Sequence, residues 1–231
     1  MRLAVIPARG GSKRIPGKNI KPFGGRPMMA WSISAALDSG CFDRVIVSTD
    51  SAEIAEVAKA HGAEVPFTRP SELSDDHTGT IPVIAHAIEW QNAHGEDATE
   101  VCCIYATAPF ITPADIRRGL QTLRDSGADY AFSVTTYAFP IQRAIRLTPN
   151  GRVEMFQPEH FNTRSQDLEE AWHDAGQFYW GQAAAWLSRT ALFTDAAAPV
   201  PMPRCRVQDI DTPEDWTRAE LMHQVATMPQ V

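Results

Sequence analysis

Short apolar runs alternate with longer amphipathic segments over the first 135 residues, and this alternation restricts the fold more than any other feature of the sequence. The apolar runs, which predict strands, cover residues 3–7, 44–48, 101–105 and 130–135. The segments between them, which predict helices, cover residues 27–40, 52–61, 82–92 and 113–127. Strands alternating with helices are typical of βα units in a mainly parallel sheet. We therefore predict an α/β, Rossmann-like fold with helices on both faces of the sheet.

The pattern changes after Thr135. Residues 143–147 and 152–156 flank the sequence Thr-Pro-Asn-Gly, which predicts a hairpin, and the polar residues 157–174 predict irregular structure. An excursion at about residues 136–176 is too small to fold alone, so its apolar face needs another surface to cover it. We expect one domain over residues 1–231, with the excursion packed in a homodimer.

The C-terminal part resumes the α/β pattern. Residues 178–186 form another apolar run, and residues 206–210 predict a strand. Thr212 and Pro213 then predict the start of the last helix, because a hydroxyl cap followed by proline favours a helix N-terminus.

Composition excludes several classes of protein. The formal net charge is −7, whereas a nucleic-acid binder normally carries a basic surplus to neutralise phosphates. No apolar run approaches the ~18 residues of a membrane span, and the opening run is too short for a signal peptide. The four cysteines (Cys41, Cys102, Cys103 and Cys205) form no CxxC pair, which is typical of reduced thiols. We expect a cytoplasmic protein that binds neither nucleic acid nor membrane.

The segment PARGGSKRIPGKN, residues 7–19, directly follows the first predicted strand. Its glycines let backbone N–H groups turn toward an anion, and Arg9, Lys13, Arg14 and Lys18 place four cations within ten residues. Such a cluster repels itself unless an anion lies among the cations. The segment lacks the GxxxxGK[ST] pattern of P-loop ATPases and the GxGxxG pattern of dinucleotide dehydrogenases. We therefore predict a phosphate-binding loop of another kind.

Asp209 and Asp211 are separated by one apolar residue at the end of the predicted strand 206–210. The period of two along a strand would place both carboxylates on one face, where they repel each other unless a cation intervenes. Mg²⁺, or another divalent ion such as Mn²⁺, suits two carboxylates together with phosphate oxygens and water. Alternatively, Asp211 only helps to cap the last helix. Asp75 and Asp76 are expected on a solvated loop.

The loop at residues 7–19 resembles the first motif of the CMP-sialic-acid synthetase family, a branch of the sugar nucleotidyltransferases. The resemblance continues in order through residues 47–50, 69–73 and 209–212. Within the family, residues 156–160 and 162–167 are most similar to the pseudaminic acid branch. The resemblance implies a nucleotidyltransferase-like fold, a homodimer and an enzyme that joins CMP from CTP to a nine-carbon acidic sugar, with release of pyrophosphate.

The resemblance also implies roles for particular residues. Those that would bind CTP are Ala8, Arg9, Gly10, Gly11, Ser12, Lys13, Asn19 and Arg69. Asp209 and Asp211 would hold the metal ion. The residues expected to serve catalysis are Arg9, Lys13, Lys18 and Asp211. Candidates for the sugar site, chosen as cations or hydrogen-bonding groups for an acidic sugar, are Tyr105, Gln142, Arg143, Arg164, Gln166, His173 and Tyr179.

Two departures from the family bear on the sugar. Sialate-specific members carry a glutamine where Tyr105 stands and a lysine near the position of Gln142. Their replacement favours pseudaminic acid and leaves N-acetylneuraminic acid, legionaminic acid and the eight-carbon Kdo as alternatives. A nucleotide sensor without catalysis is the alternative from another class, and the intact acid pair argues against it.

Overall fold

A computed structural model describes residues 1–228, so the last three positions of the predicted domain lie outside the described residues. The strands are Arg2–Pro7 (β1), Pro22–Phe23 (β2), Arg26–Pro27 (β3), Arg44–Ser48 (β4), Glu100–Ile104 (β5), Tyr130–Thr136 (β6), Ile145–Leu147 (β7), Val153–Met155 (β8), Trp172–Gln182 (β9) and Ala197–Pro201 (β10). The α-helices are Met28–Ser39 (α1), Ala52–Ala60 (α2), Thr80–His94 (α3), Pro113–Ser126 (α4), Ala183–Leu187 (α5) and Pro213–Thr227 (α6).

The central sheet has six strands in the order β10-β6-β9-β5-β1-β4. β1 pairs in parallel with β4 and β5, and β10 pairs in parallel with β6. β9 lies antiparallel between β5 and β6. The predicted mainly parallel sheet is confirmed, with one reversed strand at its centre.

Helices cover both faces of this sheet, as predicted. Alternate residues of β1 enter two different apolar clusters, because successive side chains of a strand point to opposite faces. Ala4 and Ile6 pack in the cluster that contains residues of α1, α2 and α4. Leu3 and Val5 pack in the cluster that contains residues of α3 and α5. The sheet is therefore the middle layer of three.

The predicted helix ends are confirmed where the sequence carries capping chemistry. Thr112 and Asp115 form a reciprocal capping box at the start of α4, and Thr212 and Asp215 form another at the start of α6. Glycine in the left-handed conformation follows α1 and α4.

The predicted hairpin in the excursion is present as the short antiparallel pair β7 and β8. Its apolar side chains, however, find no cover within the described residues. Leu147 is 80% exposed and Val153 is 65% exposed, while Phe139 and Phe161 nearby are also exposed.

The predicted strand at residues 206–210 is wrong. A short 3₁₀ turn covers Arg204–Arg206, and irregular backbone follows. Side chains hold this segment in place of a strand ladder: Gln177 Nε2 donates to the carbonyl of Arg206 at 2.8 Å, and Ile210 is fully buried. The edge strand β10 was not predicted, because its alanine and proline residues resemble a loop. Proline is tolerated at a sheet edge, where its missing N–H breaks no ladder.

The segment before the acid pair is tethered to α4 by an ion pair. Arg206 Nη2 and Nη1 bind Asp115 Oδ1 and Oδ2 at 3.1 and 2.5 Å, and the Asp115 side chain is almost fully buried. Burial opposes ionisation of Asp115, but hydrogen bonds from Arg206 and Thr112 outweigh it and lower the pKa of this carboxyl.

We expect Asp115→Asn to lower the free energy of unfolding by ~2 kcal/mol at pH 7, since it breaks a buried, charge-assisted pair. The pKa of Asp115 is lower in the folded state than in the unfolded chain. The difference between wild type and variant should therefore be complete above about pH 4 and shrink as the pH falls through the lowered value. Urea denaturation at pH 7, 4 and 3 measures it, with the exposed Asp125→Asn in the same helix as control. An undiminished difference at pH 3 would contradict the ion-pair account.

Candidate active site

A cavity of about 510 Å³ lies beyond the carboxyl ends of the parallel strands β1 and β5. Open α/β sheets bind ligands in this position. The cavity wall brings together eight residues predicted for the site: Arg9, Ser12, Lys13, Lys18, Asn19, Arg69, Tyr105 and Asp211. Residues far apart in the sequence thus meet around one space.

The basic loop is held in a defined turn by its own side chains and by its neighbours. Asn19 Nδ2 donates to the carbonyl of Arg9 at 3.0 Å, and Gly10 N donates to Asp50 Oδ1 at 2.8 Å. Gly17 has a φ of +63°, a conformation that favours glycine. The loop therefore presents its cationic side chains from a fixed backbone.

Three predicted CTP contacts lie outside the cavity wall. Ala8 is fully buried, and its N–H already donates to the carbonyl of Ser48 at 2.9 Å. The N–H of Gly10 is bonded to Asp50, and Gly11 is exposed. Their roles in nucleotide binding stay predictions.

Asp76 neutralises Arg9 and Lys13, two of the four cations of the basic loop. Arg9 Nη1 donates to Asp76 Oδ1 at 2.6 Å and to the carbonyl of Asp75 at 3.0 Å, while Lys13 Nζ binds Asp76 Oδ2. Hydrogen bonds from Lys13 and Arg9 lower the pKa of Asp76 to about 2. Asp76 lies on an exposed loop, as expected, and its carboxylate also lines the cavity, because four clustered cations attract an anion.

Asp211 neutralises Arg14 and Lys18, the other two cations of the basic loop. Its carboxylate pairs with Arg14 Nη2 at 3.0 Å and with Lys18 Nζ at 3.3 Å. Lys18 Nζ also donates to the carbonyl of Ile210 at 2.6 Å. Lys18 therefore joins the basic loop to the acid pair.

Arg69 is a buried cation in the cavity wall. Its guanidinium Nε donates to Ser48 Oγ at 3.1 Å, and Nη2 donates to the Ser48 carbonyl. Burial lowers the pKa of Arg69 to about 10, and the nearby Asp50 opposes that shift. Arg69 thus keeps its charge at neutral pH in a place of low dielectric, where its attraction for an anion is strong.

Tyr105 and Tyr179 lie one behind the other at one side of the cavity. Tyr105 lines the cavity, and its hydroxyl lies 3.0 Å from Thr80 Oγ1. Tyr179 is buried behind it, with ring centroids 5.3 Å apart, and donates its hydroxyl to Asp174 Oδ2 at 2.5 Å. Burial raises the pKa of both phenols, so both remain protonated hydrogen-bonding groups.

Asp209 and His173 line a second cavity, of about 320 Å³, together with Asp174. Asp209 makes no hydrogen bond or ion pair with its side chain within residues 1–228. Desolvation and the charge of Asp211 raise the pKa of Asp209 above its usual value. Within residues 1–228, the Asp209 carboxylate is therefore not neutralised by an ion pair, in contrast to that of Asp211.

A divalent cation fits this acid pair only together with a ligand. Within the described residues, no group of three or more His, Cys, Asp or Glu side chains is placed to hold a metal ion. Two carboxylates leave most of the coordination of Mg²⁺ to phosphate oxygens and water, which is its common mode of binding in phosphoryl-transfer sites. The unpaired Asp209 and the cavity-facing Asp211 suit that mode.

The remaining sugar candidates lie in the excursion, outside the wall of either cavity. Gln142 Nε2 donates to the carbonyl of Glu169 at 3.0 Å, and Arg143 Nη2 donates to that of Thr163 at 2.5 Å. Arg164 pairs with Asp167 at 2.7 Å. Gln166 is exposed.

Comparison with known proteins identifies the family of the chain. A family model described as "Cytidylyltransferase" matches residues 3–230. The chain is a member of the cytidylyltransferase family.

Relatives in this family include the pseudaminic acid cytidylyltransferase of Campylobacter jejuni, 43% identical over 96% of both chains. The CMP-N,N'-diacetyllegionaminic acid synthase of Legionella pneumophila is 32% identical over 94% of both. The solved structure of a CMP:2-keto-3-deoxy-manno-octonic acid synthetase complexed with CTP superposes with a TM-score of 0.69 at 19% identity, covering 97% of this chain and 99% of that one. That structural likeness establishes the nucleotidyltransferase-like fold.

Sequence reasoning missed several residues that complete this cytidylyltransferase cavity: Asp76, Thr78, Gly79, Thr80 and Thr107. A signal for the first four was available. They lie between the matched segment 69–73 and the predicted helix that follows, so the topology carries them toward the same sheet edge as the basic loop. The positive charge of that loop indicates that acidic side chains lie beside it, and Asp76 is one of them.

We expect Asp76→Asn to increase the affinity for nucleoside triphosphate at least threefold at low ionic strength, because the carboxylate competes with phosphate for Arg9 and Lys13. The increase should shrink as salt is added. Isothermal titration at 20 and 300 mM NaCl measures both effects. The exposed Asp38→Asn serves as control. Weaker binding by the Asp76 variant would mean instead that the carboxylate holds the two cations in their binding positions.

Proposed function

We propose that this protein transfers CMP from CTP to the anomeric hydroxyl of a nonulosonic acid, with pseudaminic acid as the preferred substrate, and releases pyrophosphate. One observation carries the proposal: a single cavity joins the cationic loop of residues 9–18 to Asp211, in a chain closely related to a pseudaminic acid cytidylyltransferase. A cation cluster facing a carboxylate suits a triphosphate and its metal ion.

The cations have distinct tasks in the proposed reaction. Arg9 and Lys13 exchange Asp76 for the phosphates of CTP, and Lys18 lies between these phosphates and the acid pair. The sugar hydroxyl attacks the α-phosphorus in line and loses its proton to solvent, while the bond from the α-phosphorus to the pyrophosphate oxygen breaks. Charge that accumulates on the phosphates is stabilised by Arg9, Lys13 and Lys18. Arg69 serves the cytosine end of the cavity.

Asp209 and Asp211 hold Mg²⁺, or another divalent ion such as Mn²⁺, in this proposal. When bound, the ion supplies Lewis-acid neutralisation of phosphate charge. Arg14 and Lys18, which pair with Asp211 in this structure, also line the cavity, where they can contact the nucleotide.

The choice of sugar rests on two kinds of support. The relative from Campylobacter is 43% identical and the legionaminic acid relative is 32% identical, which favours pseudaminic acid. Tyr105, where sialate-specific members have glutamine, presents a phenol at the cavity wall. Legionaminic acid, N-acetylneuraminic acid and Kdo are the alternatives.

We also propose a homodimer in a reducing cytoplasm. The exposed apolar side chains of the excursion, Leu147 and Val153 among them, supply an uncovered surface of the kind that a second copy buries. Gln142, Arg143, Arg164 and Gln166 would then reach the sugar site of the partner. All four cysteines are free thiols, and within residues 1–228 no helix is long and apolar enough to span a bilayer.

Pyrophosphate release tests the reaction, with CTP, Mg²⁺ and each of four acids: pseudaminic, legionaminic and N-acetylneuraminic acid, and Kdo. We expect turnover with pseudaminic acid at least tenfold above the others. Asp211→Asn should reduce kcat/KM at least 100-fold, because the site loses the charge that binds its metal ion. The exposed Asp97→Asn is the matched control and should behave as wild type.

Two other outcomes would each change the proposal in a different way. Turnover with a different sugar would keep the cytidylyl transfer and refute the role of Tyr105 and Gln142 in the choice of pseudaminic acid. CTP binding without turnover of any of the four acids would favour a nucleotide sensor.

The double variant Leu147→Glu/Val153→Glu should be monomeric in light scattering after size-exclusion chromatography, because burying two carboxylates at an apolar interface is costly. It should also raise the KM for the sugar, since the partner's excursion residues are lost. The control is Leu221→Glu on the exposed face of α6, where Leu221 is 58% exposed. A monomeric wild type, or a double variant that stays dimeric, would refute this interface.

A further inference from the structure

Gln177 is a polar side chain buried in the central sheet. It lies in β9 and is only 1% exposed. Its Nε2 donates to the carbonyl of Arg206 at 2.8 Å, whereas its Oε1 is buried and has no hydrogen-bond partner within residues 1–228. A buried carbonyl oxygen without a partner costs folding free energy, so an apolar side chain of the same length would suit the core at least as well. The presence of an amide here is therefore better explained by the group that its N–H holds.

The backbone of Gln177 is fixed by a β-bulge. The register between β6 and β9 shifts around Ser133, so this residue of β6 faces several residues of β9. Ser133 Oγ accepts from the backbone N–H groups of Gln177 and Phe178, both at 3.2 Å, and the serine is fully buried. Bulges re-aim side chains and are frequent next to active sites. The serine hydroxyl thus holds the bulge from which the Gln177 side chain extends.

Gln177 connects two parts of the proposed active site. Its main-chain carbonyl accepts from Tyr105 N at 2.9 Å, and Tyr105 lines the nucleotide cavity. Its side-chain Nε2 holds the carbonyl of Arg206, five residues before Asp211. One residue therefore ties the wall of the cavity to the segment that carries the acid pair.

Asp209 depends on such anchors because its own side chain makes no hydrogen bond or ion pair within residues 1–228. The charge of Asp211 repels it, and the backbone of residues 207–211 is irregular. The Gln177–Arg206 hydrogen bond lies on one side of Asp209 in the chain, and the fully buried Ile210 lies on the other. Carboxylates bind a metal ion most tightly when neighbouring groups already hold them in place.

From these contacts we propose that Gln177 is a positioning residue for the acid pair: its amide fixes the start of the segment 206–211, so that Asp209 and Asp211 meet a divalent cation without rearrangement. This inference rests on the proposed cytidylyl transfer and adds to it a residue that lines neither cavity. Tyr105 is held by the main chain of Gln177, so a change of the side chain alone affects only the connection to the acid pair.

Gln177→Met tests the side chain, because methionine keeps its length and removes both the donor and the unpaired acceptor. We expect the Mg²⁺ concentration for half-maximal pyrophosphate release to rise at least tenfold, the usual loss when a group that orients metal ligands is removed. At saturating Mg²⁺ the KM for the sugar and kcat should both lie within twofold of wild type, since excess ion offsets the weaker binding.

Gln91→Met is the matched control. Gln91 is likewise buried, at 2% exposure, and its Nε2 donates to the carbonyl of Glu96 at 3.1 Å, but it lies on α3 and lines neither cavity. This variant should keep the Mg²⁺ dependence of wild type even where urea denaturation shows a loss of stability. A purely structural role of Gln177 would make the two variants behave alike.

Hydrogen exchange measures the anchoring without turnover. In Gln177→Met the amides of residues 206–211 should exchange at least fivefold faster than in wild type, because the segment loses its contact with β9. In Gln91→Met they should exchange as in wild type. Ser133→Ala, a smaller change that loosens Gln177 through its main chain, should shift the exchange and the Mg²⁺ dependence in the same direction. It tests the proposal should Gln177→Met fail to fold, and the buried Ser39→Ala is its control.

The outcomes separate this inference from the proposed function. If wild type releases pyrophosphate with a nonulosonic acid but Gln177→Met has the Mg²⁺ dependence of Gln91→Met, the positioning role is refuted and the transfer reaction stands. Unchanged exchange of residues 206–211 in Gln177→Met also refutes it. If wild type turns over no nonulosonic acid, the reaction itself fails, and the positioning role fails with it.

Discussion

The crowding of four cations in the loop after β1 is the constraint on which the rest of the site depends. Arg9, Lys13, Arg14 and Lys18 cannot share so short a segment unless anions lie between them. The fold supplies these anions from two distant places. Asp76 arrives on the connection before α3, and Asp211 arrives on the segment before α6, 193 residues from Lys18. The site is thus assembled by charge neutralisation, and a triphosphate with its metal ion would meet an arrangement already balanced for such an exchange.

Much of the fold could be predicted because its elements carry their own local signals. Short continuous apolar runs marked β1 and β4, and the capping residues Thr112 and Thr212 marked the starts of α4 and α6. Phosphate binding by the basic loop could be predicted because its four cations repel one another unless an anion lies among them. These features depend on neighbouring residues alone, so a single sequence displays them.

The features that could not be predicted depend on contacts between distant residues. Residues 206–210 resemble a short strand, yet the Gln177 amide and the buried Ile210 hold them in irregular backbone, and no local pattern reveals these partners. β10 looks like a loop because alanine and proline give no strand signal at an edge. The engagement of Asp76 with Arg9 spans 67 positions, so Asp76 looked like any solvated acid. The second cavity, lined by Asp209 and His173, could not be predicted for the same reason, because β6, β9 and α6 meet there only in the folded chain.

The reversed strand β9 has a consequence for how the chain acquires its structure. β5 and β6 do not pair with each other; each pairs with β9, which comes after the whole excursion. During synthesis the first 135 residues can therefore form a parallel half-sheet, but β5 and β6 keep open edges until residues 172–182 leave the ribosome. Such sequence-distant pairing slows folding and exposes strand edges that invite aggregation. Nascent chains of this protein should depend on chaperones most heavily while the excursion is being translated.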